Sequence, residues 1–388
     1  MNNWKKIKVS DIGRIVTGKT PKTAEKDNYG GDIPFLTPSD DLSEKYVYKT
    51  IKNITEKGMN SVKGAIIPAS SVCVSCIGSD LGKVVITTKQ TVTNQQINSI
   101  VVNKDLFDTD FIYYSMLVLG RFLNYHSKTS TAVPIINKST FSNYEINCPD
   151  LKTQRQIGKI LACLDSKIDV NKQINDNLLQ QLHSVYHHTF NKPEMDALLG
   201  DVVETTSGGT PSRKHSEYYM GGSICWVKSK ELLCGYIHDT EEHINSLAID
   251  NSSAKILPSH SVLIAMYGAT VGAYAITSKP MSCNQAVCAL LSNSQYPYTY
   301  LFQLAQESQQ KLINLAVGSA QQNVSQVLIK QLHLHSDLDA IQAFHSIAYP
   351  IHKKLELLQE ENTALALLRD ALLPRLMSGE IDVSDIEL

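Results

Sequence analysis

Aromatic residues make up only 7% of this 388-residue chain, two of them tryptophan, and the formal net charge is −2. A sum so close to zero argues at first sight against a nucleic-acid partner, but the distribution of charge matters more than its total. No apolar run approaches the roughly 20 residues of a membrane span. Met1-Asn2-Asn3-Trp4-Lys5-Lys6 is followed by no apolar stretch of signal-peptide length, so a cytoplasmic protein is expected. The eight cysteines are scattered through strand-like stretches, as reduced thiols acting as small core residues are. Cys73 and Cys76 have the spacing of zinc and redox sites, but no second pair follows, and a buried strand is expected there. Gly-x-Ser-x-Gly, His-Glu-x-x-His and dinucleotide fingerprints are missing. His183 and His187 stand at i, i+4 without a third ligand at diagnostic spacing, so an exposed helix face is expected. Neither catalytic residues nor a bound metal or cofactor are expected in this chain.

What the chain does contain, it contains twice. Val9-Ser10-Asp11-Ile12 leading to Gly18-Lys19-Thr20-Pro21 returns as Leu199-Gly200-Asp201-Val202 leading to Gly208-Gly209-Thr210-Pro211, a shift of 190 residues. The same shift carries Pro68 onto Pro258, Gly78 onto Gly268, Gly82 onto Gly272 and Asn94-Gln95 onto Asn284-Gln285. A period this long exceeds the roughly 20 to 50 residues of solenoid repeats, so each copy is a folding unit of its own. A tandem pseudo-dimer of this kind suits a target that itself has two halves.

Each copy reads as mixed α and β. Val72-Cys73-Val74-Ser75, Val84-Val85-Ile86-Thr87 and 97–102 are β-branched runs bounded by turn residues, with 262–264 and 274–276 in the second copy. Helical patterns run over 110–124 and 300–316. After each globular part comes a heptad seam: Ile157, Leu161, Leu164, Ile168, Asn171, Asn175, Leu178, Leu182 and Val185, then Phe344, Ala348, Ile351, Leu355, Leu358, Asn362, Leu365, Arg369 and Leu372. About 35 residues at about 1.5 Å each give helices of roughly 50 Å. They are expected to pack antiparallel about a local two-fold axis and to hold the globular units apart. Pro350 is expected to break or kink the second helix, and Pro193 follows the first. Asn175 and Asn362, equivalent seam positions, are expected to hydrogen-bond across the dyad and fix register. The fold class is α+β. The expected domains are 1–151 and 193–337 for the globular units, 152–192 and 338–378 for the helices, and 379–388 for a tail.

Gly13 to Thr20 is a literal match to the phosphate-binding loop G-x-x-x-x-G-K-[ST]. That loop needs a hydrophobic strand before it and a helix beginning at its lysine. Here a lysine-rich segment precedes, Pro21 follows at once, and the second copy lacks the lysine, so nucleotide binding is not expected. The Gly-x-Thr-Pro turn is backbone architecture from which Lys19, Lys22 and Lys26, and in the other copy Arg213 and Lys214, project. Such side chains reach phosphates or a guanine edge. Charge supports the first copy more than the second. Residues 1–150 carry 18 Lys plus Arg against 14 Asp plus Glu, residues 197–337 carry 8 against 10, and residues 338–388 carry 4 against 9.

Taken in order, Trp4, Ile12 and Gly18-Lys19-Thr20-Pro21, then Thr153-Gln154-Arg155-Gln156-Ile157, Ser207-Gly208-Gly209-Thr210-Pro211-Ser212, and the tail Leu372 to Ile381 resemble the specificity subunit of Type I restriction-modification systems. The resemblance covers nearly the whole chain. It implies two target-recognition domains, each reading one half of an asymmetric, bipartite site in double-stranded DNA, and two helices that form an antiparallel coiled coil and set the spacer. It also implies partners: two modification subunits that bind S-adenosylmethionine and methylate adenine, and restriction subunits that use ATP and magnesium. The subunit itself would be non-catalytic. Candidate DNA contacts are Lys19, Lys22, Lys26, Ser79, Lys83, Lys128, Thr129, Ser130, Arg213, Lys214, Tyr267, Thr270, Ser319, Gln321, Gln322 and Asn323. Two other classes stay open: a coiled-coil scaffold or adaptor that reads no DNA, and a nucleotide hydrolase acting through Lys19.

Overall fold

A computed structural model describes residues 4–127, 135–191, 195–317, 323–384 and 386. The chain divides into two compact units, Met1–Ile168 with Leu365–Leu388, and Asp169–Ala364. Among the described residues no helix is long and apolar enough to cross a membrane.

The first unit is organised by a five-stranded sheet in the order Gly13–Thr17, Ile97–Val102, Val72–Ser75, Val84–Thr87, Tyr46–Val47, antiparallel except for its last pair. Val72–Ser75 and Val84–Thr87 are buried along their whole length, which is why they read as continuous runs rather than alternating ones. A second sheet joins Lys52–Ile54, Tyr29–Leu36, Thr91–Thr93 and Ile66–Ile67, and Lys5–Lys8 pairs with Glu145–Cys148. Helix α1, Thr109–Ser127, covers the five-stranded sheet with Phe111, Ile112, Tyr114 and Met116, all fully buried.

The second unit repeats this plan. Its five-stranded sheet runs Glu204–Ser207, Val287–Leu291, Val262–Ala265, Tyr274–Thr277, Tyr236–Ile237, again with a parallel last pair. A three-stranded sheet of His243–Ile244, Ile224–Val227 and Ser282–Cys283 stands beside it. Ala197–Leu198 pairs with His333–Leu334. Its covering helix is α3, Tyr298–Val317, after the long helix α2, Leu151–Thr189.

One contact sets how closely helix and sheet meet. A Cβ on Gly120 of α1 would lie 2.0 Å from the carbonyl oxygen of Gly82, and one on Gly82, at φ +85°, would lie 2.2 Å from that of Gly120. An exposed helical Gly→Ala ordinarily stabilises by about 0.8–1.0 kcal/mol. Gly120→Ala reverses that sign, because the helix must lift off the loop: a loss of about 1–3 kcal/mol is expected in urea unfolding.

The two long helices, α2 and α4 (Leu338–Met377), have 39 and 40 residues. Within each unit their segments pack antiparallel. In the first, Arg369 Nη1 donates to Asp165 Oδ1 at 2.8 Å, and Tyr114 shares that carboxylate through Oδ2 at 2.5 Å. In the second, Asn171 Nδ2 donates to Asn362 Oδ1 at 2.9 Å and to Glu361 Oε2 at 2.8 Å, while the Tyr186 and Phe344 rings lie 5.7 Å apart. The seam polar pair is therefore Asn171 with Asn362, not Asn175 with Asn362. Antiparallel helices match positions by their sum, and this register sets Asn362 one turn from Asn175, whose buried Oδ1 has no hydrogen-bond partner.

Of the seam, Ile157, Leu161, Ile168, Leu182, Phe344, Ala348, Leu355 and Leu358 are buried, while Leu164, Leu178, Ile351, Leu365 and Leu372 are half-buried. Near the end of α4 the buried positions are Leu373, Leu376 and Met377 rather than Leu372. A straight helix drifts about 20° per heptad against a strict seven-residue repeat, which carries the stripe onto the next residue. The break expected at Pro350 is not present, and α4 continues through it. Pro350 and Ser346 both face solvent, so the carbonyl that loses its amide partner is open to water. Pro193 lies outside the described residues, after α2 has ended at Thr189.

Candidate nucleic-acid interface

Antiparallel pairing decides where the connecting loops gather. In the first unit Thr17 lies opposite Asn98, Ile97 opposite Ser75, and Val74 opposite Val84. The turn after Thr17, the turn at 94–96 and the loop 76–83 therefore leave the same end of the sheet. Ile136 N donates to Cys76 O at 3.0 Å and Ile77 bridges Ile135, which brings Ile135 and Ile136 to this end as well. The second unit does the same: Ser207 faces Cys288, Ala265 faces Val287, Val324 N donates to Met266 O at 2.8 Å, and Tyr267 bridges Asn323.

The Gly-x-Thr-Pro turn is held by its backbone in both units. Gly18 N donates to Ile97 O (3.1 Å) and Lys19 N to Thr93 O (2.8 Å); Gly208 N donates to Val287 O (3.3 Å) and Gly209 N to Cys283 O (2.9 Å). A Cβ on Gly18 would sit 2.1 Å from Asn94 O, and one on Gly208 2.0 Å from Cys283 O, so a side chain fits at neither. Tyr29 and Tyr219 each donate a hydroxyl hydrogen bond back to the carbonyl of the turn's proline, Pro21 and Pro211, at 2.7 Å. Thr20 donates to Gln95 at 2.7 Å, and Thr210 to Gln285. The phosphate-loop resemblance fails on this geometry. Its amides are already spent on carbonyls, Gly13–Thr17 is the strand itself, and the next helical turn is the three-residue Lys26–Asn28.

On this frame Lys19, Lys22 and Lys26 are exposed, Lys22 at 3.5 Å from Glu25. Ser79 is exposed on the turn Gly78–Asp80, and Lys83 pairs with Asp80 at 2.7 Å. In the second unit Tyr267 is 39% exposed, Thr270 donates to its carbonyl at 3.1 Å, and Asn323 is half-buried beside it. Lys214 is exposed, but Arg213 is already engaged: its guanidinium lies over the rings of Tyr219 (4.4 Å) and Trp226 (5.5 Å) and pairs with Glu242. Glu242 also holds Lys228, and these hydrogen bonds depress its carboxyl pKa. Lys128, Thr129, Ser130, Ser319, Gln321 and Gln322 lie outside the described residues.

Sequence reasoning did not nominate Thr20 and Gln95, nor their counterparts Thr210 and Gln285, although the recurrence of Asn94-Gln95 as Asn284-Gln285 was the signal for them. It also missed Lys52 and Asn53, which with Thr20, Tyr29 and Ile51 line a groove of about 500 Å³ beside the turn. Cys73 and Cys76 are buried, and burial pushes the Cys73 thiol up to about 12 and raises that of Cys76, so neither is a thiolate at neutral pH.

Residues 1–180 and 195–335 match the model of the Type I restriction modification DNA specificity domain. The chain is 25% identical over 414 aligned positions to the Type I restriction enzyme MjaIX specificity subunit of Methanocaldococcus jannaschii, across 99% of this chain and 95% of that protein. It is 35% identical over 188 residues to the HindI specificity subunit of Haemophilus influenzae, which covers 46% of this chain and 40% of that one. Among solved structures, the S subunit of a Type I restriction-modification system from M. genitalium shares the fold, with a TM-score of 0.61 at 15% identity over 97% of this chain and 96% of that one. With both globular repeats matched, the chain belongs to the Type I restriction-modification DNA specificity family.

Proposed function

We propose that this chain is the non-catalytic DNA-recognition subunit of a Type I restriction-modification complex, with domain 1–151 reading one half of a split site and domain 193–337 the other. The helical segments 152–192 and 338–378 set the spacing and dock two modification subunits, and residues 379–388 form a C-terminal tail. Those partners carry S-adenosylmethionine chemistry on adenine, and restriction subunits supply ATP- and magnesium-dependent cleavage.

The observation that carries this reading is the shared sheet end. The two units use the same backbone hydrogen bonds at the turn, register for register, yet present Lys19 against Gly209, Lys22 against Ser212, Ser79-Asp80 against Ala269-Thr270 and Lys83 against Ala273. A constant frame with variable outward side chains is what two readers of different base sequences need. The near-neutral second domain leaves much of the phosphate attraction to the partner subunits.

Selection from a random duplex library by the chain assembled with its modification subunit tests this. Two constant blocks separated by a fixed number of unspecified base pairs are expected. Recovery of unenriched DNA by an intact complex would favour the scaffold reading.

A further inference from the structure

The helix pair His183 and His187, which has no third ligand nearby in sequence, acquires one in space. Glu307 of α3 brings its Oε1 to 3.2 Å from His183 Nδ1 and 3.2 Å from His187 Nε2, and the three ligand atoms lie within 4.8 Å of one another. All three belong to the second unit. We propose that these residues form a binding site for a zinc-class divalent ion, which clasps the recognition domain's helix α3 to the long helix α2.

The geometry suits such an ion. At bonds of about 2.0–2.1 Å a tetrahedral centre holds its ligand atoms about 3.4 Å apart, close to the two separations found here. Two imidazole nitrogens and a carboxylate are a borderline-hard donor set that favours zinc, cobalt or nickel over calcium or magnesium. Both rings converge on one carboxylate oxygen. His183 Nδ1 is enclosed yet makes no hydrogen bond of acceptable geometry, although Glu307 is within reach. A bound cation would satisfy this enclosed nitrogen and the carboxylate oxygen together. Side chains exposed by 30–51% leave a face for a water as the fourth ligand, so the ion is a structural clasp that can exchange with solvent.

The first unit makes the comparison. Asp370 of α4 stands where the heptad shift of 187 puts His183, and Arg121 of α1 pairs with it at 2.8 Å. There the covering helix is tied to a long helix by an ion pair complete in itself. In the second unit the equivalent place holds one carboxylate and two imidazoles, with no permanent cation among those three residues. A second cluster, Cys225, Asp239 and His243, is a weaker candidate. Its thiol is raised by burial and donates to Asp239 at 3.3 Å, while His243 meets the same oxygen at 2.8 Å.

The full chain, stripped with chelator, is titrated with cobalt alone and with zinc in competition with a chromophoric chelator. One ion per chain is expected, with a cobalt spectrum free of thiolate charge transfer, and the Cys225→Ser variant should match the wild type. His183→Gln, His187→Gln and Glu307→Gln should each weaken binding by more than about 100-fold, beyond the 10–100-fold typical of outer partners, with unchanged circular dichroism. Zinc should raise the unfolding midpoint of the wild type and not that of Glu307→Gln. Binding that is absent, that persists in His183→Gln/His187→Gln, or that shows only thiolate bands would overturn the proposal.

Discussion

Replacing Lys19, Lys22 and Lys26 together by alanine is expected to weaken DNA binding by the assembled complex about 100-fold near physiological salt, while leaving its base preference unchanged. Lys19 projects from a turn tied to the strands behind it, Lys22 and Lys26 from the segment that follows, and all three side chains are exposed, so the loss is of charge and not of fold. The pairing of Lys22 with Glu25 does not remove it from account, because an exposed ion pair at 3.5 Å is worth little. If each lysine neutralises one phosphate, the slope of log K against log salt should fall by about 0.9 per residue, or about 2.7 for the three. Fluorescence anisotropy across a salt series measures this directly. An altered preference at one half-site would instead assign these lysines to base edges. An unchanged slope would remove the turn from the interface.

The second large effect is on stability, and it comes from His352. The side chain is fully buried on α4, with Nδ1 3.0 Å from the Tyr236 hydroxyl and its ring against Tyr298 and Phe302 at 5.4 and 5.3 Å. Burial pulls its pKa down to about 3, and the neighbouring His260 and His345 add repulsion. Glu356, which pairs with His260 at 3.4 Å, faces the same cluster. The folded state therefore keeps His352 neutral, whereas the unfolded chain protonates it near pH 6.5. Stability contributed by this residue is complete above pH 6.5 and is lost as the pH falls toward 3, at about 1.4 kcal/mol per pH unit. Between pH 6.5 and 5 the loss is about 2 kcal/mol. His352→Gln keeps a hydrogen-bond partner for Tyr236 and should flatten the slope by one proton in denaturant titrations at several pH values. A variant with the wild-type slope would place the pH dependence elsewhere.

Much of the fold was legible because the responsible signals are local. Val72–Ser75 and Val84–Thr87 are β-branched runs closed by turn residues, and burial on both faces leaves nothing to contradict that pattern. The helices were legible from a period sustained over several turns. What escaped depends on partners distant in sequence. The register that pairs Asn171 with Asn362 is set by how two helices match end to end, which neither stripe states alone. Pro350 looked like a helix breaker because its cost depends on whether the freed carbonyl meets water, and that is a property of the face it occupies.

The candidate site divides in the same way. Comparing the two copies found the turn and the lysines that decorate it, since a repeat separates frame from variable positions. It could not find that Arg213 is held by Glu242, 29 residues on, and by two aromatic rings. Nor could it see Glu307 arriving between His183 and His187 from a helix more than 100 residues away.

The most direct test is to co-express the chain with its modification subunit and map methylated adenines in host DNA by single-molecule sequencing, before and after exchanging residues 1–150 for those of another family member. A split motif with a fixed spacer, one half of which changes on the exchange while the other half and the spacer stay the same, is the predicted result. Methylation at an unchanged motif after the exchange, or none from a stable complex, would contradict the assignment of one half-site to each domain.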